Sequence, residues 1–367
     1  MADIDLVTAV RDTLDEVLAE RLSTPTLLEV AAGAPVAGKL RRDLADIGLS
    51  GICVPERRGG LAADDALVAE LFAVAGRRLL PHALRQEVMA LAPALAALAD
   101  AGVSQADDLL ARYLAGTLAG GGAPVLPIHP AGLRELVDGG HRITVRSWVA
   151  EQPEVVAVVS QEWIALLPGA AAAQRPGADD GVDRGHRGCP IDVDSQLLAD
   201  AQVVEVDARP VVDRWLLAIF AELYGVADHA LTRSLDYAKQ RHQFGRPIGS
   251  QQAVAHRLAD MAVRVEAAAA AVSRHVETLA NGDRERIADE QRVLQYWAPA
   301  MARQVCEDAI QVHGGTGFTW EYGLHLHYRR ALALQALFGG ADRAARRAAA
   351  ALLPGLSHAS EHSKGGM

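Results

Sequence analysis

The chain has 367 residues, 50% hydrophobic and 22% charged, which is ample for a large buried core and too apolar for a mainly disordered protein. A formal charge of −10 excludes the broad basic footprint of a general nucleic-acid binder, so any anionic ligand must be met by a few placed arginines. Cys53, Cys189 and Cys306 form no CxxC pair, MADIDLVTAVRDTLDEV carries acids where a signal peptide is basic, and no run of 18 apolar residues follows, so no disulfide framework, metal site, export or membrane span is expected and a cytoplasmic protein is.

Residues 5–118 read as helix after helix. Leu6, Val7, Val10, Leu14 and Val17 recur every three or four residues, as one buried helical face requires. A second helix near 36–47 runs into GLSGICVPERRGG, where Pro55 and Gly59-Gly60 end regular structure. A third, from Asp64, carries Leu67, Leu71 and Val74 and ends near Pro81; alanine- and leucine-rich segments continue to Leu118. This predicts an N-terminal helical domain over 1–119. From Gly120-Gly121-Gly122 the texture changes, and ITVRSWV, VVAVVS, WIALLP and QVVEVD predict strands of a small β domain over 120–208. Within it, 168–190 is rich in Gly, Ala, Asp and Arg and reads as a long exposed loop.

Helical texture returns at Val211. Ser250 is the expected N-cap of a helix on which Val254, Leu258, Met261, Val265, Val272, Val276 and Leu279 fall three, four or seven apart, closed by Asn281-Gly282. The next, about 284–312, puts Leu294, Trp297, Met301, Val305, Ala309 and Val312 on one face, with a kink expected at Pro299. Helices this long bury such stripes only against one another, which predicts a C-terminal bundle over 209–356 and a flexible tail over 357–367.

Two segments could carry chemistry. In YAKQRHQFGRPIGSQQAVAHRLADM, residues 237–261, Arg241 and Arg246 flank an FG turn before a helix N-terminus, so arginine forks and free backbone N–H groups could converge on a pyrophosphate, with Phe244 as a flat wall. Taken alone, the segment is better read as an ordinary helix–turn–helix with solvated arginines. In AIQVHGGTGFTWEYGLHLHYRRA, residues 309–331, Gly314, Gly315 and Gly317 allow close backbone approach, and Gln311 offers an acceptor and donors one helical turn earlier. Glycine pairs after helices are also common C-caps. His325 and His327, two apart on a helix, point to different faces, which argues against a shared metal.

Together the two segments resemble the C-terminal domain of the acyl-CoA dehydrogenase family, with its R-x-x-F-G-x-x-x-x-x-x-Q and Q-x-x-G-G-x-G-F/Y patterns. Here they stand as Arg241, Phe244-Gly245 and Gln252, then Gln311, Gly314-Gly315 and Gly317-Phe318. LADIGLSGICVPERRGG is similar to an N-terminal pattern of the same family, so the resemblance covers nearly the whole chain. It implies a mainly α fold with a small β domain: an N-terminal helical domain, a middle β domain and a C-terminal four-helix bundle, assembled as dimers or dimers of dimers around FAD. It further implies that Arg241 reaches a partner's FAD pyrophosphate, that Phe244 and Gln252 lie beside it, and that Gln311, Gly314 and Gly315 complete the adenine side.

The departures are equally informative. Family chemistry removes an α-proton from an acyl-CoA with a glutamate while hydride passes to flavin. The two positions where relatives carry that glutamate are Phe338 and Trp215 here. Asp213 and Glu222 lie near the second, and are read as a solvated acid and a helix-surface acid. The strand motif keeps Trp148 but has Ala150 where a hydroxyl meets flavin, and no TExxxGSD-like loop stands between 119 and 147, so the β domain is reduced. The resemblance therefore points to the non-catalytic subunit of an actinobacterial heteromeric, steroid-CoA-type acyl-CoA dehydrogenase. Its expected partners are a sister subunit with the catalytic Glu, which holds most of the FAD, an acyl-CoA substrate and an electron-transfer flavoprotein or similar acceptor. The alternatives are a self-sufficient dehydrogenase or oxidase with an atypical base, and a flavin-free scaffold of the same fold.

Overall fold

The computed structural model describes residues 4–32, 34, 37–124, 143–148, 153–169, 183, 188–193 and 201–353. The chain divides into two compact units, 1–218 and 219–367.

The first unit opens with α1 (Ile4–Arg21), α2 (Thr24–Ala31) and α3 (Ala37–Asp46). Leu14 and Leu18 of α1, and Leu40 and Leu44 of α3, sit four apart and are buried, which is the spacing that builds one helical face. The short α2, with Pro25 in its first turn, escaped the periodicity reading because eight residues display little more than two turns. After Gly48 the chain folds tightly over itself: a Cβ on Gly60 would come within 2.1 Å of the Val54 carbonyl, so only glycine permits this return. Then come α4 (Asp65–Arg78), α5 (His82–Gln86), a π-helical turn over Glu87–Leu91, α6 (Ala92–Asp100) and α7 (Ser104–Leu114). Asp64 caps α4 by accepting from the Leu67 N–H at 2.9 Å. Beside the π turn, Arg41 forms a two-pronged ion pair with Glu87, both buried, at 2.8 Å for each prong.

The strands are β1 (Gly120–Pro124), β2 (Ile143–Trp148), β3 (Val155–Val159), β4 (Trp163–Pro168), β5 (Gly188–Val193) and β6 (Gln202–Glu205). One sheet has the order β1-β3-β4-β6, with β1 parallel to β3 and the other pairs antiparallel. β2 and β5 pair antiparallel, Ile143 opposite Val193 and Trp148 opposite Gly188. All of β3 is buried, as VVAVV requires. One expectation fails here: residues 188–190, read as the end of an exposed loop, begin β5. GGGAP, outside the predicted strands, also forms one although glycine disfavours it. Asp183, within that loop, is buried 3.3 Å from His82 Nε2.

α8 (Arg209–Gln240) begins in the first unit and continues into the second. Its segment Trp215–Leu223 is buried at every position, so this stretch has no solvent face. The second unit continues with the two-residue strands β7 (His242–Gln243) and β8 (Arg246–Pro247), then α9 (Gln252–Asn281), α10 (Arg284–His313), α11 (Leu324–Leu337) and α12 (Ala341–Leu352). α10 packs on α9, α11 and α12, and runs unbroken through Pro299. Leu258, Met261, Val265 and Val272 face Leu294, Met301 and Val305 in the buried stripe that the spacing predicts, whereas Val254, Val276, Leu279 and Trp297 are only half-buried. Each fully buried Leu, Val or Met contributes about 1.5–3 kcal/mol relative to exposure. α9 ends at Asn281, with Gly282 at φ 72°, as the Asn-Gly pair predicts.

Candidate functional site

The first candidate segment begins where α8 stops. The Arg241 N–H donates to the Tyr237 carbonyl at 2.8 Å, and the Ile248 N–H closes the hairpin by donating to the Arg241 carbonyl at 2.8 Å. Between them β7 and β8 pair across Phe244-Gly245, whose φ values of 53° and 79° are both in the left-handed region of a tight hairpin turn. Gly245 takes this freely, whereas Phe244 adopts it at a cost of about 1–3 kcal/mol. Its ring is nonetheless 93% exposed, so the strain holds an aromatic out in water. Arg241 and Arg246 are exposed beside it, and among the described residues neither has an ion-pair partner. The N-cap of α9 is Gln251 rather than Ser250, whose hydroxyl instead donates to the Pro247 carbonyl at 2.7 Å. Competition from that nearer carbonyl moves the helix start one residue on and leaves Gln252 exposed in the first turn.

The second segment ends α10. Gln311 is exposed while Ala309, Ile310, Val312 and His313 around it are buried. Gly314 has φ 60° and ψ −138°, a conformation side chains disfavour, and at both Gly314 and Gly315 the space a Cβ would occupy is open. A Cβ on Gly317 would meet the Ile310 carbonyl at 2.9 Å, so this glycine instead lets the turn fold back on its helix. Phe318 follows, 76% exposed.

Two residues absent from the sequence reading bring these segments together. The Tyr237 and His313 rings stack at 4.4 Å with 28° between their planes. His313 Nδ1–H donates to the Ala309 carbonyl at 2.8 Å, and burial pushes its pKa below the ordinary histidine value, so the stacked ring is neutral at pH 7. Tyr322 lies 5.0 Å from the other side of this cluster, with the Arg233 guanidinium 4.7 Å from its ring centre. Asp308, also buried, accepts from Arg257 at 2.7 Å and Arg264 at 3.4 Å, joining the last turns of α10 to the N-terminal half of α9. The available signal was positional: Tyr237 lies one turn before Arg241, and His313 immediately before the glycine pair.

The two positions that the family resemblance assigns to a base hold buried aromatic side chains. Phe338 is buried, 6.3 Å ring to ring from Phe220, and its carbonyl accepts from Arg347 at 2.7 Å. Trp215 is buried, with its indole N–H donating to Gln86. Asp213 and Glu222 correct an expectation: they are 3% and 1% exposed rather than solvated. This part of α8 has no water-facing side, so each acid must be satisfied internally, and Glu222 is, by a buried ion pair with Arg330. His327 is buried and stacked on His229 at 4.1 Å, while half-buried His325 lies 5.0 Å from the Trp320 ring. Ala150, the residues 125–142 and most of the loop 168–190 lie outside the described residues.

A flat cofactor bearing a pyrophosphate fits what the second unit displays. Unpaired arginine forks meet phosphate oxygens, an exposed ring offers a stacking wall, and the open glycine backbone leaves room that any Cβ would fill.

Comparison with known proteins agrees with this reading of the fold. Residues 213–353 match the family described as acyl-CoA dehydrogenase, C-terminal domain. The chain is 38% identical over 152 residues to acyl-CoA dehydrogenase FadE34 of Mycobacterium tuberculosis, a match taking in 41% of this chain and only 21% of that protein. Butyryl-CoA dehydrogenase from Megasphaera elsdenii is similar in structure, with TM-score 0.70 at 20% identity, covering 96% of this chain and 99% of that one. A chain of the ChsE4-ChsE5 complex from Mycobacterium tuberculosis is likewise similar, with TM-score 0.72 at 19% identity, covering 96% and 98%.

Proposed function

We propose that this chain, whose residues 213–353 match the acyl-CoA dehydrogenase C-terminal domain and whose fold is similar to that of butyryl-CoA dehydrogenase, is the non-catalytic subunit of a heteromeric, FAD-dependent acyl-CoA dehydrogenase. One observation carries this reading. Arg241, Phe244, Gln252, Gln311, Gly314 and Gly315 are all exposed in one unit, whereas Phe338 and Trp215 fill both base positions with buried aromatic side chains. Such a chain offers a cofactor surface to a partner and withholds the proton acceptor.

Bound FAD would supply the hydride acceptor for α,β-dehydrogenation of an acyl-CoA. The Arg241 fork would hold the pyrophosphate, and the Phe244 ring and the Gln252 amide would lie beside it. Gln311 and the bare backbone at Gly314-Gly315 would bound the adenine side. The general base would come from a sister chain, and the reduced flavin would pass its electrons to an electron-transfer flavoprotein or similar acceptor. The likeness to a chain of the ChsE4-ChsE5 complex supports an unlike partner, and the likeness to the Tcur3481-Tcur3483 steroid acyl-CoA dehydrogenase, with TM-score 0.70 at 21% identity, supports the substrate class we assign, a steroid side-chain CoA ester.

The test is stoichiometric. Co-expressed with the candidate sister chain, flavin absorbance against protein concentration is expected to give one FAD per pair of unlike chains. One FAD per chain would sink the proposal. A self-sufficient enzyme is the second reading, favoured by the buried carboxylate of Asp213, two residues before Trp215.

A further inference from the structure

Two surface segments can hold one ligand only if their separation is fixed, and neither segment fixes it alone. The hairpin is a two-residue-strand ribbon, too short to be stable by itself. The turn Gly314–Phe318 contains three glycines, each of which adds backbone freedom. We propose that Tyr237 and His313 form a ring-on-ring splint that makes the Arg241 hairpin and the Gly314-Gly315 turn a single rigid unit. This deepens the FAD reading above by naming the residues that set the geometry of that surface. Tyr237 and His313 are positioning residues, since neither belongs to the exposed set that would touch the cofactor.

Tyr237 works at both ends of its own residue. Its carbonyl receives the Arg241 N–H and so starts the hairpin, while its ring covers His313. The turn that follows the hairpin's return strand is docked on the same helix end, because Gly249 lies so close that a Cβ would stand 3.2 Å from the Ala238 carbonyl. His313 is the residue before Gly314, and its ring is locked twice: by its own bond to Ala309 and by Tyr237 and Tyr322 on its flanks. Motion of the turn therefore has to slide one ring over another. Motion of the hairpin has to carry the Tyr237 backbone with it. An aromatic pair of this kind couples its partners at a strength corresponding to about a three- to ten-fold effect.

Amide hydrogen exchange on the full-length chain tests this without any cofactor. His313→Leu is expected to speed exchange about three- to ten-fold at 314–318 and also across the hairpin at 242–247, which His313 does not precede in sequence. Tyr237→Leu is expected to speed exchange at 314–318, and Tyr237→Phe, which keeps a stacking ring, to leave both segments as they are. Tyr237 is half-buried at the end of a long helix, so its variants remain informative if His313→Leu does not fold. A change confined to the substituted residue's own segment overturns the splint. In the co-assembled pair, both leucine variants should raise the FAD dissociation rate by a similar factor. Cross-segment coupling with unaltered FAD release would leave the splint standing and remove the FAD reading instead.

Discussion

Arg241 projects from the end of α8 with no carboxylate partner among the described residues, which leaves its planar fork available to an anion. A charge-assisted contact of this type is worth about 1.5–3 kcal/mol, so Arg241→Ala should weaken FAD retention in the assembled complex about ten-fold or more. Arg241→Lys should rescue it poorly, because a point charge cannot make the two parallel bonds of a guanidinium; fluorescence titration of released flavin measures both. The acids of α8 call for a different test. Replacing Glu222 with Leu removes a buried ion-pair partner of Arg330 and should cost about 3–5 kcal/mol in a urea melt, whereas adding Arg330→Met should recover part of that loss. Asp213→Asn should leave the kcat of the complex within a few-fold, since loss of a true base lowers it by roughly 10²–10⁴. A large fall with assembly intact would make this chain an enzyme in its own right. These residues also mark what sequence could give. Spacing and motif placed Arg241, Phe244 and the glycine pair at element ends, where exposure follows from local chemistry. It misplaced Asp213 and Glu222, because an acid in an apolar helix is read as surface unless its distant partner, here Arg330 for Glu222, is known.

At the scale of elements, the pairing of α9 with α10 has a titratable tie. Burial pushes the Glu290 carboxyl up, but bonds from His275, Thr278 and Arg274 outweigh it and hold the pKa below its ordinary 4.5. His275 Nδ1 lies 3.0 Å from one oxygen and Arg274 Nε 2.8 Å from the other. A depressed carboxylate contributes stability above its unfolded pKa and loses it as pH falls through the folded value. The gap in thermal midpoint between the wild type and Glu290→Gln should thus be widest near about pH 7 and close below about pH 4. A gap independent of pH would show that packing, not charge, joins the helices here. The long helices carrying this tie were legible because their apolar stripes repeat over many turns. The strand GGGAP was not. It forms because Gly120 can lie where a Cβ would stand 2.3 Å from a Leu91 side-chain carbon, a fact of tertiary approach that no propensity contains.

For the whole molecule, the proposed cofactor surface faces outward, and flavin affinity is therefore expected to depend on assembly. If FAD is completed by residues of two unlike chains, the ligand binds the pair and not the separate subunits, and its apparent affinity becomes a function of protein concentration. Flavin retention by the purified complex should then fall on serial dilution in step with dissociation of the chains, followed by flavin fluorescence and by sedimentation on the same samples. Arg241→Ala should loosen flavin at concentrations where the pair is still intact, separating cofactor loss from subunit loss. Flavin that stays bound at dilutions where the chains are apart would mean that one chain holds it unaided. In that case the exposed ring of Phe244 and the open glycine turn face something other than a shared cofactor.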